Sequence, residues 1–165
     1  MEIKLILDHL KKETALYKEF IGILQKETEN LVNRDFKGLY ETVALKEHAL
    51  KRIESLGTLR AKLIKNGGAA LGVRPGAKGE VTLMMVIEAL GERRVEIEAE
   101  RNIIISLIES IKEINKVNSL VVTGSLENIN KTLGFLGNFL QTSVYKPSGA
   151  FEGFSPKGSR LSEGA

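Results

Sequence analysis

His9 and His48 are the two histidines of the chain, and imidazole is the side chain best suited to acid–base work near neutral pH. They lie far apart in sequence, and neither has a second His or a carboxylate pair at metal-ligand spacing. Both fall in stretches with helical periodicity, so both read as solvated helix residues. Two isolated histidines cannot supply a Ser-His-Asp or Cys-His set, and with no cysteine in the chain thiolate nucleophiles, thiolate metal sites and disulfides are excluded together. Gly72-Val-Arg-Pro-Gly76-Ala-Lys78 superficially resembles a phosphate-binding loop. That loop needs Lys directly after its second Gly, then Ser or Thr, on a turn leaving a strand. Here Ala77 intervenes, Gly79 follows Lys78, and helical periodicity precedes the loop.

Glu96, Glu98 and Glu100 alternate, which on a helix spreads them around the axis instead of gathering them at one point. Gly134-Phe-Leu-Gly137 lacks the four-residue spacing of close helix contacts. Asn130-Lys-Thr132 matches a glycosylation acceptor only if the chain is secreted, and the N-terminus, with charges among its apolar residues and no basic leader, does not read as a signal peptide. These residues predict no catalytic, cofactor or metal site.

Composition narrows the class further. The 165 residues suit one domain. Net charge is +3 from 24 basic and 21 acidic residues mixed along the chain. Nucleic-acid binders concentrate their basic residues on one face or in one run, and none is concentrated here. No apolar run reaches the roughly 20 residues that span a bilayer. The expectation is a soluble protein of the cytoplasm, neither an enzyme nor a nucleic-acid binder, with no integral membrane segment.

The elements that would position any site are helices. The three prolines, Pro75, Pro147 and Pro156, leave two long stretches free of the residue that helix interiors tolerate worst. In the first, Ile3, Leu7, Leu10, Thr14, Tyr17, Ile21, Leu24, Thr28 and Leu31 follow a heptad-like spacing, widened by Ile6, Phe20 and Ile23. A stripe this wide suits a helix facing a bundle core. Asn33-Arg34-Asp35 reads as a joint with Asp35 a plausible N-cap, or as a bend in one continuing helix. Leu39, Val43, Leu50, Ile53, Leu56, Leu59 and Leu63 then form an apolar side, with Lys46, Glu47 and Lys51 beyond it. Asn66-Gly67-Gly68 carries the usual C-terminal signal, and the five glycines and Pro75 within 66–79 predict a loop. From near Glu80 a further helix places Leu83, Val86, Leu90, Ile97, Ile104, Ile108 and Ile111 on one face. The run Ile103-Ile104-Ile105 would alone suit a strand, but its setting in a long 3.6-residue pattern decides for helix. Gly124 marks a kink or short break.

The pattern resumes as Val122, Leu126, Ile129, Leu133, Leu136 and Leu140. By periodicity alone this face reads first as bundle core, and the alternative is an interaction surface for a partner helix. From Lys146, ten of twenty residues are Gly, Pro or Ser, which predicts a disordered tail that also carries Phe151, Phe154 and Leu161. The fold class expected is therefore all-α: an elongated antiparallel bundle of three to four long helices over 1–145, with a hairpin 2–65, a Gly-rich loop 66–79, C-terminal helices 80–144 and a flexible tail 146–165.

Several elements together resemble the FlgN-like flagellar export chaperones. They are Leu24-Gln-Lys-Glu27 with Leu31, Asp35 and Leu39, then Lys46, Leu50, Ile53, Leu56 and Arg60, then Leu71-Gly72. The most specific is Asn115-Lys-Val-Asn118-Ser-Leu120, followed by Tyr145-Lys-Pro-Ser-Gly149 ahead of a polar tail. The Asn pair also has a plain reading, in which Asn115 and Asn118 sit in a bundle seam, pair with each other and hold its register. The resemblance implies a cytoplasmic chaperone for hook-associated (hook-filament junction) proteins, which binds their helical terminal segments and delivers them to the export gate and its ATPase complex. It implies client binding by the Val122–Leu140 face and gate docking through Tyr145. Read from residue type and position alone, Tyr145 could equally staple the helix end to the bundle. The alternative to a chaperone is a structural coiled-coil subunit that uses the same stripes for self-assembly.

Overall fold

Alternating stretches of helix former and glycine-rich joint set the element order. In the computed structural model, residues 2–76 and 79–142 are described, with side chains described to Leu136 except that of Arg93. Helix α1 spans Glu2–Asn33, α2 Phe36–Ala70, α3 Leu83–Ala89 and α4 Val95–Thr142, with a 3-10 turn at Gly91–Arg94 before α4. There is no strand among the described residues, and Ile103–Ile105 is helical, with Ile104 buried and its two neighbours exposed.

The chain breaks at Arg34-Asp35, as two capping devices require. Arg34 takes a left-handed conformation at φ 57°, which lets Asp35 N–H reach back to Asn30 O at 2.9 Å and closes α1 with the bond pattern of a Schellman end. Asp35 then caps α2, its Oδ1 accepting from Gly38 N–H at 3.0 Å. The result is a tight antiparallel hairpin. Cross-pairs between the helices, Asn30 with Thr42, Glu27 with Lys46, Glu19 with Arg52 and Glu13 with Arg60, record the opposed directions.

The end of α2 differs from the sequence expectation. The helix does not stop at Asn66-Gly67-Gly68 but runs to Ala70, with Gly67 and Gly68 buried inside it. A Cβ on Gly67 would lie 2.6 Å from Ile6 Cδ1, and one on Gly68 2.6 Å from Val81 Cγ1. These glycines are there for close approach, and the terminating glycine is Gly72. At φ +70° it lets Val73 N–H reach Gly68 O at 2.9 Å and its own N–H reach Ala69 O at 3.1 Å, the paired bonds of a Schellman motif. The segment that resembled a phosphate loop thus begins as a helix cap.

The next helix begins after Thr82, whose hydroxyl caps Met85 N–H, later than Glu80. It is interrupted at Leu90, where Gly91 at φ +59° turns the chain into the 3-10 segment. No break occurs at Gly124, since α4 is continuous for 48 residues.

Residues 1–124 form one compact unit and a second begins at Ser125. In the first, Ile6, Leu10, Ile64, Val86, Ile87, Leu90, Ile97 and Ile104 make one core, and Phe20, Leu24 and Ala49 another that Ile53, Ile111 and Ile114 complete. Each fully buried Leu or Ile contributes about 1.5–3 kcal/mol. Because Ile97 and Ile104 pack near the start of α1 and Ile111 and Ile114 near Phe20 and Leu24, α4 runs in the direction of α1 and against α2. The inward line of α2 is Thr42, Lys46, Ala49, Ile53, Leu56, Arg60, Leu63 and Gly67, all buried or half-buried. Val43, Leu50 and Leu59, expected inside, are exposed, and Lys46, expected outside, faces in. In the second unit, the side chains described, Ser125 to Leu136, are exposed.

Candidate functional site

Glu27 lies on the buried side of α1, where a lone carboxylate would be costly. It is held by two partners. Lys46 Nζ on α2 donates to both its oxygens at 3.1 and 2.9 Å, and Asn118 Nδ2 on α4 donates to Oε2 at 2.9 Å. Asn118 also donates to Leu24 O at 3.2 Å, and its Oδ1 accepts from Thr28 Oγ1 at 2.6 Å. Every hydrogen-bonding group of the Asn118 amide is therefore used, in a side chain only 4% exposed. Asn118 finds its partners on α1; Asn115, half-buried one turn earlier, is not among them, so the expected Asn–Asn pair is replaced by an Asn118–Glu27–Lys46 network joining α1, α2 and α4.

A second network lies lower in the hairpin. His9 is buried, not solvated, with Nε2 2.9 Å from Leu56 O and 3.3 Å from Glu13 Oε1. Both neighbours are acceptors, so Nε2 carries the hydrogen. Glu13 Oε2 accepts from Arg60 at 2.7 Å. His9 thus serves the α1–α2 seam. His48 is exposed, beside a shallow groove that Lys12, Glu19 and Arg52 also line. Among the described residues no group of His, Asp or Glu could hold a metal ion, and no helix is long and apolar enough to cross a membrane.

Beyond Asn118 the apolar pattern of α4 continues while its burial ceases. Leu126, Ile129 and Leu133 are 56%, 54% and 60% exposed, and Val117, Leu120, Val122, Phe135 and Leu136 are exposed too. Val122, Leu126, Ile129, Leu133 and Leu136 repeat at 4, 3, 4 and 3 residues and so share one helix face. Leu140 continues this spacing, but its side chain lies outside those described; Tyr145 and the tail with Phe151, Phe154 and Leu161 lie outside the described residues altogether. Sequence reading missed a second exposed apolar line, Phe36, Tyr40, Val43 and Leu50 on α2. Its helical spacing was visible, but Val43 and Leu50 were assigned to the inward line one residue away, and Phe36 and Tyr40 were not singled out.

These features define an all-helical bundle protein that offers an apolar helix face to solvent. The chain matches the FlgN protein family over residues 1–153 and belongs to it, a family of flagellar export chaperones. Comparison with curated proteins and with solved structures finds no match. Four of the residues that carried the family resemblance converge in space. Leu24 and Glu27 from the first motif, Lys46 from the second and Asn118 from the fourth meet in the network described above, and Arg60, at the far end of the second, pairs with Glu13.

Proposed function

We propose that this protein is a cytoplasmic chaperone of the flagellar type III export pathway whose clients are hook-associated, hook-filament junction proteins. The observation that carries the reading is the exposed apolar face of α4, Val122, Leu126, Ile129, Leu133 and Leu136, in a member of the FlgN family. Leu140 extends it by sequence spacing. An amphipathic client helix laid on that face is recognised by its own apolar side chains, and covering them prevents association with the client's later partners. Exposed apolar surface of this kind is a normal mark of an interaction site. The chaperone then delivers its client to the export gate and its ATPase complex without hydrolysing nucleotide itself. Residence must be short enough for release, so affinity is set by a moderate dissociation rate. Tyr145 is the candidate gate contact, since tyrosine combines a large apolar ring with a hydrogen-bonding tip.

The test is Ile129→Asp with Leu133→Asp, measured against the helical terminal peptide of a hook-associated protein. Capture should be lost while circular dichroism and melting temperature stay close to those of the parent. Asn128→Asp with Lys131→Asp, off the apolar line, should keep capture. Global unfolding of the first double variant would make the face a core element and overturn the reading. Sedimentation of the parent as a large homogeneous assembly would favour a structural subunit instead.

A further inference from the structure

Ile97, Ile104, Ile111 and Asn118 follow at intervals of seven along α4, so they occupy equivalent positions of one helix repeat. The first two pack into the core with Ile6 and Leu10, the third against the core of Phe20 and Leu24. Asn118 comes next in the series and is buried as deeply, yet it is polar. A heptad slide of α4 would put Ile104 in the place of Ile111, Ile97 in that of Ile104 and Leu90 in that of Ile97, so apolar packing along this line opposes it only weakly, while Arg101 would enter the place of the half-buried Ile108. Within the series itself the slide is opposed most strongly at its last position. Moving Ile111 into the place of Asn118 would set a branched alkyl chain against the Glu27 carboxylate and remove the donor to Leu24 O, while Asn118 would lose its partners inside the seam. A buried donor or acceptor left without a partner is costly, and fixing register is the best attested use of a buried polar group.

We propose that Asn118, with Glu27 and Lys46, is a register lock, and that Asn118 is thereby a positioning residue. The lock determines which stretch of α4 is buried on the hairpin and where the exposed apolar face begins, from Val122 onward. The register inference stands on packing and hydrogen bonding alone; its consequence for capture rests on the client-binding reading above.

The chain has no cysteine, so two introduced cysteines can be spin-labelled without background. Lys11→Cys on α1 and Ser119→Cys on α4 are both exposed sites, well separated along the helix axis. Pulsed electron spin resonance on the full-length parent should give one distance. Asn118→Ile should add a second, shifted by up to about 10 Å, the rise of seven helical residues. A second variant, Asn118→Ile with Glu27→Leu and Lys46→Leu, makes the seam wholly apolar and should show the same mixture with the melting temperature held or raised. A single unshifted distance in both variants would overturn the lock, and so would failure of both to fold, which would make the network a stability element only. Capture of the helical client peptide should fall as the second distance grows. A shifted distance with capture unchanged would keep the lock and overturn its link to the client face.

Discussion

The Arg60 guanidinium donates to Glu13 Oε2 across 2.7 Å, tying the buried carboxylate of α1 to the rim of α2. Glu13 is 2% exposed and Arg60 34%, so the pair is unequal. Removing the arginine strands a charge, whereas removing the glutamate frees one that water already reaches. Arg60→Ala should cost roughly 2–3 kcal/mol, somewhat less than the 3–5 kcal/mol of a fully enclosed pair. Arg52→Ala, which breaks the exposed pair with Glu19 at the same distance, should cost under about 0.5 kcal/mol. Urea denaturation of the two variants measures the difference, and equal losses would refute the distinction by burial.

Gly67 and Ile6 form a coupled pair. A methyl group at Gly67 would gain about 1 kcal/mol in helix propensity, but it would meet Ile6 Cδ1 at 2.6 Å, and overpacking of this kind costs about 1–3 kcal/mol. Gly67→Ala alone should therefore lower the melting temperature or leave it flat. In an Ile6→Val background, which removes the obstructing methyl, the same Gly67→Ala change should be stabilising. Additive effects in the double-mutant cycle would show that the two positions do not touch.

Arg34 at φ 57° holds a conformation that costs a side chain-bearing residue about 1–2 kcal/mol. Glycine would remove that cost and lose about 0.5–1 kcal/mol to its freer unfolded state. Arg34→Gly should raise stability by up to about 1 kcal/mol, read as a higher denaturation midpoint with an unchanged m-value. A drop in midpoint would mean that the Arg34 side chain makes a compensating contact.

Tyr145, if it is the gate contact, predicts a separation of function. Tyr145→Ala should still capture and protect the junction protein but lose binding to the cytoplasmic part of the export gate, with little change in melting temperature. Tyr145→Phe keeps the ring and should retain part of the gate binding. Normal gate binding by Tyr145→Ala, or earlier loss of client capture, would remove the residue from this role.

The helical class, the joint at Asp35 and the apolar stripe of α1 were legible because each is local. Periodicity along one helix shows which residues share a face, and a capping side chain needs only the backbone three residues on. The family motifs were legible in the same way, as residue types at fixed spacing. The structure decided what each polar residue within them faces. His9, Glu13, Glu27 and Lys46 carry polar or charged groups, and a one-helix reading sends such groups to solvent because burying them without a partner is costly; Asn118 was expected in a seam, but with Asn115 as its partner. Their partners lie elsewhere in the chain, Glu27 with Lys46 and Asn118, Glu13 with Arg60, His9 with Leu56, and a pairing between helices leaves no trace in the period of either one. The same holds for Gly67 and Gly68. A glycine pair near a helix end can stop the helix or admit a neighbour, and the choice rested with Ile6 and Val81. The α4 pattern makes the point most fully: apolar residues recur at helical spacing through Leu136, yet no side chain described after Asn118 is fully buried, because a repeat states which face is apolar while only the packed partner determines how much of that face is covered.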